Sequence, residues 1–153
     1  MSDFSKVGDF HQKFGLPVAD GAPITIPDDV ALFRLKFLLE ELTEIADGYG
    51  YQLTANIAPA GNRPDLPKVA DGLVDLVYVA LGTAHMHSLP WAALFAEVQR
   101  ANLSKERAAH SDDNRSVRKH SLDVVKPKDF RPPNIVEVLM KAGWPGPELP
   151  ELK

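Results

Sequence analysis

Three glutamates interrupt the apolar run FLLEELTEI at residues 37–45, and two aspartates sit in DGLVDLVYV at 71–79. Glu41 and Glu44 are three positions apart and Glu40 and Glu44 four, so in a helix all three project to one broad side. Asp71 and Asp75 are four apart and share a helical face with Tyr78. Asp75 stands among Leu73, Val74, Leu76 and Val77, a setting that predicts burial. A buried carboxylate must be paired or must bind a cation, because naked burial is costly or forces protonation. Arg34 and Lys36 are the only bases in the helix that carries the glutamates, too few to neutralise this many acids. Oxygen-rich, histidine-poor donor sets suit Mg²⁺ or Mn²⁺, the more so where a substrate phosphate completes the shell. A solvated helix face has the same E-E-x-x-E pattern, so both readings stand, and an inward-facing Asp75 favours the metal.

Other metals fit less well. The chain has no cysteine, which excludes disulfides and thiolate zinc sites. A di-iron bundle needs Glu-x-x-His pairs, which are absent from the sequence. His85 and His87 are two apart and point to different sides of a helix, which favours packing or helix-end roles over zinc ligation. His11, beside Phe10 and Phe14, is either a satisfied amphipathic residue or the lining of a base pocket. Val98, Asn102 and Lys105 share a face of a helix expected over 91–107. There Lys105 either complements the helix dipole or, with Asn102, holds phosphate oxygens, with Lys126 and Arg131 approaching from a later loop. No glycine-rich phosphate loop is present, so a nucleotide grip would rest on metal and side chains.

The elements that must position these residues are helical. A short helix is expected over Phe4–Phe14, closed by Gly15 and Pro17. Asp28 or Asp29 is the expected N-cap of a second helix running to Asp47–Gly50. In it Leu35, Leu38, Leu42 and Ile45 form an apolar strip beside the glutamates. A third helix, Lys68–His87, is apolar nearly all round and is therefore expected to be the central, most buried one. The fourth, Trp91–Arg107, should bury Trp91, Leu94, Phe95 and Val98. Pro132–Pro133 announce a last helix over Asn134–Lys141, which Gly143 stops. The expectation is an all-α bundle of four to five helices, its two central helices carrying facing carboxylates. It forms a single domain over 1–153, with irregular loops at about 51–67 and 110–131 and a loose tail at 145–153.

The whole chain agrees with that class. Its 153 residues, 44% hydrophobic and 25% charged, are those of an ordinary globular domain. The formal net charge of -4 argues against a general nucleic-acid binder. No secretory pattern opens the sequence, and the best apolar stretch, Leu73–Ala84, falls short of a membrane span, so the expected location is the cytoplasm. Charge is uneven: residues 28–47 are acidic and 100–131 basic, a pairing that suits a metal-bound polyphosphate or two mutually neutralising regions.

Four blocks in order, FLLEELTE, DGLVDLVYVALGTA, EVQRANLSK and VVKPKDFRPP, resemble the MazG-like branch of the all-α nucleoside triphosphate pyrophosphohydrolases. That group includes phosphoribosyl-ATP pyrophosphohydrolase and dimeric dUTPases, and the similarity runs from about Phe10 to Ala142. The resemblance implies Mg²⁺-dependent cleavage of a nucleoside triphosphate between its α and β phosphates, giving a monophosphate and pyrophosphate. It makes Glu41 and Glu44 the E-x-x-E metal ligands, Asp75 the aspartate of the second element, and Glu40 the acid that positions a second metal or the attacking water. Asn102 and Lys105 match the family's Asn-x-x-Lys and would face the phosphates, as would Lys126 of the Lys-Pro element. The sequence departs from the pattern once: the second element is usually Glu-x-x-Asp, and here Gly72 stands where the glutamate belongs, with Asp71 one residue earlier as its substitute. Relatives of this kind form homo-dimers or homo-tetramers, and a small bundle gains independently from a partner surface. The competing reading is a non-catalytic, homo-oligomeric nucleotide-binding or scaffold bundle whose acids are surface groups.

Overall fold

In a computed structural model that describes residues 1–19, 21–109, 113–116 and 118–147, the chain is helical apart from one short ladder. Its order is α1 (Asp3–Lys13), α2 (Asp28–Gly48), α3 (Leu66–Met86), α4 (Trp91–Leu103), β1 (Glu106–Arg107), β2 (Val124–Val125) and α5 (Ile135–Lys141). The all-α class with five helices is as expected. The chain divides into two compact units, one of Met1–Asp20 with Val74–Lys153 and the other of Gly21–Leu73.

The first unit is organised around α4, against which α1 and α5 pack. Helix α1 starts at the Ser2 cap, whose hydroxyl accepts the Ser5 N–H. It docks through specific polar contacts: the Trp91 indole donates to Asp3 at 2.9 Å, Gln99 donates to the Lys6 carbonyl at 2.6 Å, and Lys13 donates to the Leu103 carbonyl. Its end is a Schellman turn, with Gly15 at φ 60 and the Leu16 N–H returning to the His11 carbonyl. Arg107 on β1 grips that turn, donating to the Phe14 and Gly15 carbonyls and, through Nε, to Ser121. A side chain added at Gly15 would meet the Arg107 guanidinium at 3.3 Å, so the glycine serves both the turn and the close approach. Helix α5 is capped by Asn134, whose side chain accepts the Glu137 N–H. It is tied to α4 by Glu97, which accepts the Asn134 N–H at 2.8 Å and is paired with Arg100. The buried apolar side chains of this unit are Phe14, Ala84, Ala101, Ala108 and Val125.

The second unit is α2, the irregular segment after it and the first residues of α3. Phe33, its buried apolar residue, stacks edge-on with Phe37 at 5.0 Å between ring centroids. Helix α2 begins after Pro27 without a side-chain cap, so Asp28 and Asp29 are not caps but lie inside the first turn, where they still complement the dipole. Its end is a second Schellman turn through Gly50, at φ 78, with Tyr51 N–H bonded to the Ala46 carbonyl.

Expectations about two of the helices do not hold. Helix α3 is not the most buried helix: residues 71–80 are all exposed, and Ala84 is its one fully covered side chain among the described residues. An apolar sequence requires cover, but cover comes from other elements, and residues 71–80 receive none from the described residues. The same helix is also longer than the Leu73–Ala84 stretch, since Leu66–Met86 has the length and composition of a membrane span. Helix α4 stops at Leu103 rather than Arg107, and it leaves Trp91 and Val98 partly exposed while burying Ala101. The segment after α4, read from sequence as a long loop or short hairpin, is bounded by an antiparallel ladder in which Glu106 pairs with Val125 and Arg107 with Val124. Residues 110–112, Val117 and most of the expected tail (148–153) lie outside the described residues.

Candidate functional site

In the second unit, Glu40, Glu41 and Glu44 occupy successive turns of α2 and all are exposed. Glu44 borders an open concavity of about 870 Å³ at the C-terminal end of the helix, lined also by Thr43, Asp47, Tyr51 and Gln52. Asp47 was not among the candidate ligands expected from sequence. The signal was present, because Asp47 follows Glu44 by three residues and extends the E-x-x-E spacing by one more helical step. Asp71 lies in the part of α3 that belongs to this unit and is exposed.

Asp75 belongs to the first unit and is exposed, which corrects the expectation that its apolar neighbours bury it. Leu73, Val74, Leu76 and Val77 are themselves open to solvent, so they shield nothing beside them. Asn102 sits in the last turn of α4, part-buried. Lys105 lies beyond the helix rather than in its last turn, yet its N–H bonds the Asn102 carbonyl at 3.1 Å, so the backbone keeps the two residues together. Lys126 leaves β2 exposed, its ammonium 5.6 Å from the Phe130 ring centroid. Arg131 is exposed just before Pro132, whose carbonyl accepts from Arg100. His85 and His87 are exposed at the end of α3, and the His11 ring meets the Pro17 carbonyl, so the structure gives each a surface or helix-end setting.

The electrostatics of α4 are unusual at one point. The Arg100 guanidinium bonded to Glu97, helped by the Asn134 N–H, holds that carboxyl down to about 2. In the loop, Arg115 does the same for Asp113, also to about 2. Both are structural pairs at the margins of the candidate residues.

The donor chemistry suits a divalent cation. The candidates are all carboxylates, the oxygen donors Mg²⁺ prefers. Among the described residues, however, no group of three or more histidine, aspartate or glutamate side chains is gathered to hold a metal ion.

The sequence profile of phosphoribosyl-ATP pyrophosphohydrolase matches residues 7–102. The chain belongs to the phosphoribosyl-ATP pyrophosphohydrolase family. The match spans more than half of the chain, takes in α2, α3 and α4, and so contains Glu40, Glu41, Glu44, Asp71, Asp75 and Asn102, while Lys105, Lys126 and Arg131 follow it. The MazG-like resemblance drawn from the four sequence blocks is thereby borne out at the level of the family. A crystal structure from Exiguobacterium sp. 255-15, described as a candidate NTP pyrophosphohydrolase, superposes with a TM-score of 0.60 over 93% of both chains at 24% identity. That likeness shows that this pyrophosphohydrolase-family chain shares its fold. No curated protein matches the sequence.

Proposed function

We propose that the protein is a nucleoside triphosphate pyrophosphohydrolase: water attacks the α phosphorus, the α–β anhydride bond breaks, and a nucleoside monophosphate and pyrophosphate leave. The observation that carries this reading is the family match over 7–102, which encloses the E-x-x-E of α2, Asp75 of α3 and Asn102 of α4 in order. In this reading Glu41, Glu44 and Asp75 would be the ligands of Mg²⁺ (or Mn²⁺), with Glu40 and Asp71 as further candidate carboxylates. Bound there, the cation would neutralise phosphate charge and acidify a water. Glu40 orients the attacking water, while Asn102, Lys105, Lys126 and Arg131 bind the phosphate oxygens and offset charge on the departing pyrophosphate.

A second copy of the chain completes the proposal. A helix apolar on all sides belongs inside a protein or a membrane. Charged aspartates are expensive in lipid, and α3 carries two, so protein cover is favoured over lipid cover. Helix α2 also leaves Leu32, Leu35, Leu42 and Ile45 exposed, so apolar surface lies open on both long helices. A homo-dimer or homo-tetramer in the cytoplasm meets both demands.

The test is a panel of canonical and damaged ribo- and deoxyribonucleoside triphosphates, with phosphoribosyl-ATP, assayed with Mg²⁺ for pyrophosphate against single phosphate. Pyrophosphate from at least one triphosphate is the expected result. Single phosphate as the product would place the cleavage at the wrong bond. No turnover of any member would leave the binding-only bundle as the better account.

A further inference from the structure

The most deeply buried charged side chain among the described residues is none of the candidate ligands. It is Asp123, 1% exposed, in the polar segment between β1 and β2. Among the described residues its carboxylate accepts from three donors: the Ser116 hydroxyl at 2.8 Å, the Arg118 guanidinium at 3.1 Å and the N–H of Val124 at 3.0 Å. Its backbone is held as well, its N–H bonding the His120 carbonyl at 2.9 Å and its carbonyl accepting the Ala108 N–H at 3.0 Å. Ser116 is equally buried, and its oxygen also accepts the Lys119 N–H at 3.0 Å. A carboxylate taken wholly out of water persists only where such a set of donors replaces its hydration, and replacing one oxygen by an amide NH₂ leaves one of these donors facing another donor.

The position of this knot gives it a consequence. Asp123 immediately precedes β2, Val125 of that strand is buried against the unit, and the next residue is Lys126. Lys126 therefore leaves the fold directly after a backbone held by the Asp123 contacts and by the pairing of Val124 and Val125 with Arg107 and Glu106. A lysine side chain is long and flexible, so its ammonium is directed only as well as its backbone is placed.

We propose that Asp123 is a positioning residue that acts on the substrate through Lys126, fixing where its ammonium meets the phosphates; this rests on the pyrophosphohydrolase reading above. Asp123 touches no substrate. Ser116 and Arg118 serve it by holding its carboxylate.

A double-mutant cycle on the full chain tests this, with kcat and KM measured for a triphosphate the wild type hydrolyses and thermal unfolding followed in parallel. Asp123→Asn should lower kcat/KM about tenfold, chiefly through KM, and Lys126→Ala by a similar factor. The double variant should lose no more than Lys126→Ala alone, because the two act as one unit. Losses that multiply in the double variant, or an unchanged kcat/KM in Asp123→Asn, overturn the proposal. If Asp123→Asn does not fold, Ser116→Ala, which removes one of the three donors, runs the same cycle with the same outcomes. A wild type that hydrolyses no triphosphate removes the underlying reading and this inference with it. Multiplicative losses in an active enzyme remove this inference alone.

Discussion

Association through α3 can be tested by changing Val77 to lysine. Val74, Val77, Tyr78 and Leu81 lie on adjoining turns and are 68%, 57%, 78% and 36% exposed. Full burial of one such side chain contributes about 1.5–3 kcal/mol, so covering this strip is worth about 4–7 kcal/mol per protomer. In a two-fold contact each copy offers the same strip, which doubles the gain, against an association cost of about 4–15 kcal/mol. The strip can therefore sustain a dimer, with little in reserve. Val77→Lys removes about 1–1.5 kcal/mol of that burial from each copy and brings an ammonium into the contact. Two copies lose at least about 2 kcal/mol before the charge is counted, so Kd should rise at least about thirtyfold. Sedimentation velocity across a concentration series reads the change, with circular dichroism confirming that the variant keeps its helices. A wild type that stays monomeric at every concentration, or a Val77→Lys protein that associates as the wild type does, would refute the reasoning.

Further outcomes follow from the proposed chemistry and from the observed pairs. Glu41→Gln and Asp75→Asn should each reduce kcat at least about a hundredfold and abolish the rise in thermal midpoint that Mg²⁺ gives the wild type; calorimetry with and without Mg²⁺ checks the second point independently of turnover. Asn102→Ala should raise KM about ten- to a hundredfold with a smaller change in kcat, the loss expected for one hydrogen bond to a charged phosphate. Glu97 has a carboxyl lowered from 4.5 to about 2, so its bonds to Arg100 and Asn134 add stability that is complete above pH 4.5 and lost as pH falls toward 2. Denaturant titrations should accordingly show a wild-type advantage over Glu97→Gln at neutral pH that shrinks through this window; a constant difference would contradict the assignment.

Much of the candidate site could be read from local pattern. Ser2, Asn134 and the glycines at 15, 50 and 143 mark helix ends because capping chemistry acts over a few residues. The grouping of Glu40, Glu41 and Glu44 on α2 follows from helical spacing alone. Lys105 was misplaced because nothing in R-A-N-L-S-K is a strong helix breaker; the chain turns at Ser104 to enter β1, whose partner lies far along the sequence. Asp123 carries no local signal for a related reason. Its segment is polar, which ordinarily signals an exposed loop, and only the folded chain gathers Ser116, Arg118 and Asp123 into a satisfied interior.

The sequence by itself determined the helical class, the order of the helices and the family, because periodicity and motif order are carried by residues close together along the chain. Tertiary structure alone decided which side chains are covered. Asp75, expected inside, is exposed, and Asp123, in a polar loop segment that gave no sign of it, is buried. Burial depends on what packs against a residue rather than on its neighbours in sequence. A carboxylate goes inside only where donors assembled from elsewhere replace its water.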